Sequence, residues 1–134
     1  MKRSSELREL IIGYFESFTV GDPGWVDRHV LNGAELRLIG TGPDEWMDGA
    51  QGFSVFQQES AAATGALSAE VSDIEAYSEG DVGWGAALVR FTLPNGQSAR
   101  SRFSVVFVVH DGTWKVVSAH NSIAVADEDA FAPG

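Results

Sequence analysis

The sequence has no cysteine, few cations and no long apolar run. Without cysteine there can be no disulfide and no thiol nucleophile, and a cytoplasmic protein is expected. Nine Lys and Arg stand against nineteen Asp and Glu, and the resulting net charge of −10 would repel nucleic-acid phosphates and anionic membranes. Neither is expected as a partner; the charge reads most simply as a device for solubility. No apolar stretch approaches the roughly 20 residues of a membrane span. The start, Met-Lys-Arg-Ser-Ser-Glu, lacks a signal core, which again points to the cytoplasm. His29, His110 and His120 are far apart, and no H-E-x-x-H or cysteine set accompanies them, so no metal site is expected. Gly40-Thr-Gly42 is followed by no GK[ST], so it resembles a phosphate loop only superficially and no cofactor is expected. There is no G-x-S-x-G elbow for a serine triad.

What is present suffices for one domain over residues 1–134, with an acidic tail from about Asp127 expected to fray. Leu7, Leu10, Ile11, Tyr14, Phe15 and Phe18 recur at three- and four-residue steps and predict an amphipathic helix from about Ser5 to Thr19, capped by Ser4 or Ser5. Asp22 followed by Pro23 starts a short helix through Val30. His29 reads there as a packing residue or a ligand. Ala34–Ile39 alternates as a strand, and residues 40–49 form a loop rich in turn formers. Asp48 can cap a third helix to about Ala63, with Phe53, Phe56 and Ser60 on one stripe. Leu67–Tyr77 is a further strand.

The organising stretch runs from Asp81 to Ala124: three strand-like runs joined at Asn95-Gly96 and Asp111-Gly112, the strongest short-range hairpin signals. If both loops hold two residues, Arg90 falls opposite Ser101, Leu88 opposite Phe103, Trp84 opposite Phe107 and Phe103 opposite His120. One face then carries Trp84, Leu88, Phe103, Val105 and Phe107, ending in a polar group of Arg90, Ser101, His120 and Ser122. Such a face suits a small-molecule pocket. The other possibility is a wet sheet margin, and a single β-bulge would exchange part of one face for the other. Helices followed by four consecutive strands predict an α+β domain: a cone-shaped, mostly antiparallel sheet wrapped around the N-terminal helices, open at its wide end.

Three segments, Ile39-Gly-Thr-Gly-Pro-Asp-Glu-Trp46, Arg102-Phe-Ser-Val-Val-Phe107 and Asp111-Gly-Thr-Trp-Lys-Val-Val-Ser-Ala-His-Asn-Ser122, together resemble the SnoaL-like branch of the nuclear transport factor 2-like superfamily. The resemblance implies a cystatin-like cone, a homodimer formed through the sheet and a pocket between concave sheet and helices. Leu88-Val-Arg-Phe-Thr92 also resembles a run in the calcium/calmodulin-dependent protein kinase association domain, whose pocket arginine falls on Arg90. Two further pocket arginines of that family fall on Val105 and Asn121, and its helix histidine falls near Phe53. Ketosteroid isomerases and polyketide cyclases share the fold and use a buried carboxylate as acid or base.

Candidate roles follow. Glu45, beside Asp44 at the expected mouth, is a general base if its pKa is raised, or a member of a solvated turn. His120 is an acid, base or oxyanion donor, or a structural partner of Ser101 or Ser122. Arg90 would fix a carboxylate or enolate; Trp46, Phe53, Trp84, Leu88 and Phe103 would form the walls. The leading expectation is a small-molecule-binding domain for an apolar ligand bearing a carboxylate or carbonyl. The alternatives are an isomerase, cyclase or hydratase using Glu45 or His120, and a dimeric assembly module without ligand.

Overall fold

The computed structural model describes residues 1–131. Strand β1 (Lys2–Arg3) leads into helix α1 (Ser5–Glu16), which widens into a π-helical turn (Ser17–Gly21); α2 (Pro23–His29), β2 (Arg37–Ile39), β3 (Trp46–Met47) and α3 (Gly49–Ala62) follow. The remaining chain is a four-strand meander, β4 (Ser68–Glu79), β5 (Val82–Thr92), β6 (Ser98–His110) and β7 (Thr113–Ser122), and then α4 (Asp127–Ala130). The sheet order is β1-β4-β5-β6-β7-β2-β3, antiparallel except where β2 runs beside β7. This is an α+β fold with a curved, unclosed sheet and its helices on one face.

Side-chain caps start the helices where the sequence places them. Ser4 Oγ accepts from Leu7 N at 3.1 Å, Asp22 Oδ1 from Trp25 N at 3.1 Å and Asp48 Oδ1 from Gln51 N at 3.2 Å. The first helix changes character at its end. Ser17 Oγ donates to Tyr14 O at 2.6 Å and Thr19 Oγ1 to Phe15 O at 2.8 Å, and such back-bonding loosens the regular ladder. Ser60 of α3 fastens this turn: its hydroxyl donates to Ser17 O and accepts from Asp22 N. The acidic tail, expected to fray, holds one exposed helical turn at Asp127–Ala130, and its last three residues lie outside the described ones.

The register of the meander departs from the two-loop expectation at its first corner and again within β7. Asp111 and Gly112 both take positive φ and His110 pairs with Thr113, the expected two-residue turn. At the first corner Pro94 holds its own φ negative, and only Gly96 turns positive. Leu93 N then bonds Gln97 O and Gly96 N bonds Leu93 O, closing a three-residue loop. Arg90 therefore pairs with Arg100 rather than Ser101, Leu88 with Arg102 and Val89 with Ser101. A bulge at Val117 shifts β7 as well: Phe107 pairs with Val116, but Val106 with Ser118 and Ser104 with His120. A one-residue slip turns every side chain over. The concave face thus carries Gly83, Gly85, Ala87, Val89 and Phe91 of β5, Ser101, Phe103, Val105 and Phe107 of β6, and Val116, Ala119 and Asn121 of β7.

Side chains on β5 grow along that face, from Gly83 to Phe91. At the narrow end α1 lies on the strand itself. A Cβ on Gly83 would run into Leu7 and Tyr77 O; one on Gly85 would meet Ile11 and Glu75 O. At the wide end Tyr14, Phe15, Phe18, Phe56, Phe91 and Phe103 form an aromatic cluster of edge-to-face and tilted pairs, with Tyr14 and Phe103 centroids 4.9 Å apart and Phe15 and Phe103 4.8 Å apart.

Candidate functional site

Because the helix layer and sheet diverge from the Gly83 end, a cavity of about 750 Å³ opens at the wide end, within the usual range for small-molecule sites. Its floor is Tyr14, Phe18 and Thr19 of α1 and the π-helical turn. Phe56, Glu59 and Ala62 of α3 form one wall, Leu38 and Met47 of the short strands another, and Phe91, Ala99 and Asn121 the sheet side. The mouth is lined by Glu45, Thr41, Gln97, Ser98 and Ile123. Most of this surface is apolar.

Three polar groups look into it from the helix and loop side. Glu45 reaches the cavity because its loop is folded around its own side chain: Gly42 N donates to Glu45 Oε1 at 3.1 Å and Gly40 N to Glu45 O at 2.9 Å. A Cβ on Gly40 would occupy the place of the Glu45 carboxylate. The Gly-x-Gly therefore makes room for an acid rather than a phosphate. Glu59, three residues beyond Phe56, faces the same space from α3. Although Glu59 as a residue is exposed, its carboxyl is raised above the ordinary glutamate range, first by partial burial and then by the charge of Glu45.

Tyr14 is only 5% exposed, and burial, with Glu59 adding to it, pushes its phenol far above the usual tyrosine value. Its hydroxyl takes no partner among the described residues. Among the described residues no fully buried polar side-chain atom is left unpaired, so the little surface that Oη keeps faces the cavity that Tyr14 lines. Across from it, Asn121 Oδ1 accepts from Ser101 Oγ at 3.0 Å, which leaves the Asn121 amide N–H groups to the cavity. No Lys, Arg or His lines the cavity among the described residues, and no metal-ligating cluster is found among them.

The expected site residues separate. Glu45 lines the mouth. Arg90, Trp84, Leu88, His120 and Ser122 share one face as reasoned, but it is the convex face, turned away from the helices by the Pro94 loop and the Val117 bulge. Arg90 and His120 are exposed. Ser101 and Phe103 stay on the concave side as core, 1% and 2% exposed. Phe53 packs half-buried against that core. Trp46 is 65% exposed, with the Arg37 guanidinium 4.9 Å from its ring centre. His29 packs against Trp25, its Nδ1 bonded to Trp114 O at 3.0 Å. Glu59 and Tyr14 were not singled out. Their signal was a lone acid and a lone phenol on the inward stripes of the two helices expected to line the pocket.

The fold has clear relatives. The family model of the SnoaL-like domain matches residues 8–126. No curated protein matches the chain. Among solved structures, an NTF2-like protein of unknown function from Pseudomonas putida KT2440 superposes with a TM-score of 0.78 at 20% identity, over 96% of this chain and 92% of that one. A protein from Streptomyces avermitilis, provisionally assigned as a dehydratase of the NTF2-like family, gives 0.73 at 14% identity, over 90% and 95%. A protein from Xanthomonas campestris, provisionally assigned as a calcium/calmodulin dependent protein kinase II association domain, gives 0.67 at 16% identity, over 94% and 96%. At such identities these neighbours speak for the fold alone. The family match spans most of the sequence, and the chain belongs to the SnoaL-like domain family, with the nuclear transport factor 2-like, cystatin-like fold.

Proposed function

We propose that this is a small-molecule-binding domain whose site is the cavity between the helices and the concave sheet. The observation that carries the reading is a mostly apolar chamber of about 750 Å³ whose lining includes a few polar side chains, among them Tyr14, Glu45, Glu59 and Asn121. The ligand is an apolar molecule with one polar end. A carbonyl could take the Tyr14 hydroxyl and the Asn121 amide as donors. A carboxylate fits poorly, because no cation among the described residues lines the cavity and two acids do. A ligand screen by thermal unfolding tests this, since a ligand specific for the folded chain raises its stability by mass action. Compounds that stabilise the native chain should lose their effect in Ala62→Phe, which fills the cavity; an equal effect on both proteins would overturn the reading.

A second reading, proton-transfer catalysis, is favoured by one observation: two carboxyls share the cavity and the environment of Glu59 raises its pKa, which suits an acid–base division of labour. Glu45 would then act as base, Glu59 as acid, and the Tyr14 hydroxyl would hold an oxyanion. Exchange of deuterium into the α-carbon of a bound ketone, lost in Glu45→Gln, would establish it.

The homodimer belongs to the convex face. Val82, Trp84, Leu88 and Val106 are exposed there at 50%, 36%, 48% and 39%, an apolar stripe of the kind that marks an interface. Glu70, Glu75 and Glu79 flank it on β4, Arg100 and Arg102 lie on β6 at its other side, and Arg90 continues it along β5 opposite Glu70. A two-fold axis through the stripe would lay each acidic row on the partner's arginines.

A further inference from the structure

Resting on the reading of the cavity as a small-molecule site, we propose that the polar end of its ligand is a protonated amine, seated between Glu45 and Glu59 with the Tyr14 hydroxyl accepting one N–H. The charge on the cavity lining is of one sign: Glu45 and Glu59 line it, and among the described residues no cation does. The chain's cations are placed elsewhere. Arg37 lies over Trp46, Arg28 beside Asp22, the Lys115 ammonium on Arg28 O, and three arginines on the convex sheet. Among the described residues, then, no cation stands beside the two acids in the cavity lining.

Glu45 makes ionisation of Glu59 harder, and a cation placed between them relieves that repulsion; a carbonyl oxygen, itself negative, adds to it. Tyr14 supplies the independent sign of a ligand. Its hydroxyl is an unpartnered polar group in an otherwise buried side chain, aimed into the cavity beside the acids. A hydroxyl oxygen left with a free lone pair accepts an ammonium N–H as readily as it donates elsewhere. The rings of Tyr14, Phe18, Phe56 and Phe91 surround the same space and offer aromatic faces to a desolvated ammonium and apolar contact to its carbon skeleton. A net charge of −10 draws small cations toward the protein from a distance.

The test uses three probes of one shape and different charge: phenylpropylamine, phenylpropanol and phenylpropanoate, titrated calorimetrically into the full chain at neutral pH. The amine is expected to bind about tenfold or more tightly than the alcohol, and the carboxylate least. In the Glu45→Gln, Glu59→Gln double variant, its folding checked by a cooperative thermal transition, the amine should fall to the level of the alcohol. If the alcohol matches or exceeds the amine in the native chain, the amine assignment is overturned and the cavity reading stands. If the double variant keeps the preference for amine, the two acids are not its source and the proposal fails. If none of the three probes binds, the cavity reading falls and this inference with it. Should the double variant not fold, the ranking of the three probes on the native chain remains decisive.

Discussion

The two ends of one helix–sheet interface behave differently. Near Leu7 and Ile11, α1 rests on the bare backbone of Gly83 and Gly85. Near Tyr14 and Phe18 the same helix stands off the sheet and leaves a cavity. The change is written along β5 as Gly, Gly, Ala, Val, Phe on alternate positions. Close packing at one end works as a hinge pin that fixes the helix; bulk at the other end wedges it away. Stability is concentrated where there is no room, and binding capacity where the wedge leaves space. In this fold a cavity is created by large residues at its edge as much as by small ones at its centre.

The sharpest way to break this contrast is to place a valine at each end. Gly85→Val puts carbon where Ile11 and the Glu75 carbonyl already sit and should cost about 3 kcal/mol or more, read as a lowered urea midpoint or as loss of the folded chain. Ala99→Val, on the exposed cavity side of β6, should change stability by no more than about 0.5 kcal/mol. Equal costs would refute the taper. Next in size is Ser60→Ala, which removes the hydroxyl that joins Ser17 O and Asp22 N. Ser17 O and Asp22 N still bond each other at 3.0 Å, so neither is left unpaired and about 1 kcal/mol should go with the lost hydroxyl, read as a lowered urea midpoint. On the convex face, Leu88→Glu should halve the mass measured by light scattering while leaving ligand affinity within about twofold, because Leu88 does not line the cavity.

Helix positions, their caps and the order of elements were readable from the sequence, because period, Ser/Asp caps and Pro23 act locally. The family was readable from its motifs. The two faces of the meander were not, and the reasons are specific. Pro94 before Asn95-Gly96 converts an expected two-residue turn into a three-residue one, a competition that proline's fixed φ decides. The Val117 bulge has no local marker: Val116-Val117 reads as uninterrupted strand, and the extra residue is accommodated only by β7 packing on both β6 and β2. Together these two shifts move Arg90, His120, Trp84, Leu88 and Ser122 to the convex side. Glu45 could be found because its loop and its neighbours Gly40 and Gly42 are contiguous with it. Glu59 and Tyr14 could not be told from ordinary helix residues, since their role depends on how far α1 and α3 stand from the sheet.

The smallest effect tests the electrostatics of the wide end alone. Glu59 has its folded-state pKa raised, chiefly by partial burial and then by Glu45. A carboxyl with a raised folded pKa binds its proton more tightly when folded. Its contribution is therefore fully present below the ordinary glutamate range and is lost as pH rises through the raised value. Above the ordinary glutamate range the raised value therefore opposes folding slightly, and solvent screening keeps the effect small. Glu59→Gln removes the titration while keeping the shape. The variant should melt slightly above the native chain at neutral pH, and the two should converge as pH falls toward the ordinary glutamate range. Glu45→Gln should act in the same direction on the native Glu59, more weakly, because it removes the second cause and leaves burial in place. A melting difference that instead widened on acidification would mean that Glu59 is held by a favourable partner, and the picture of two uncompensated acids at the wide end would be wrong.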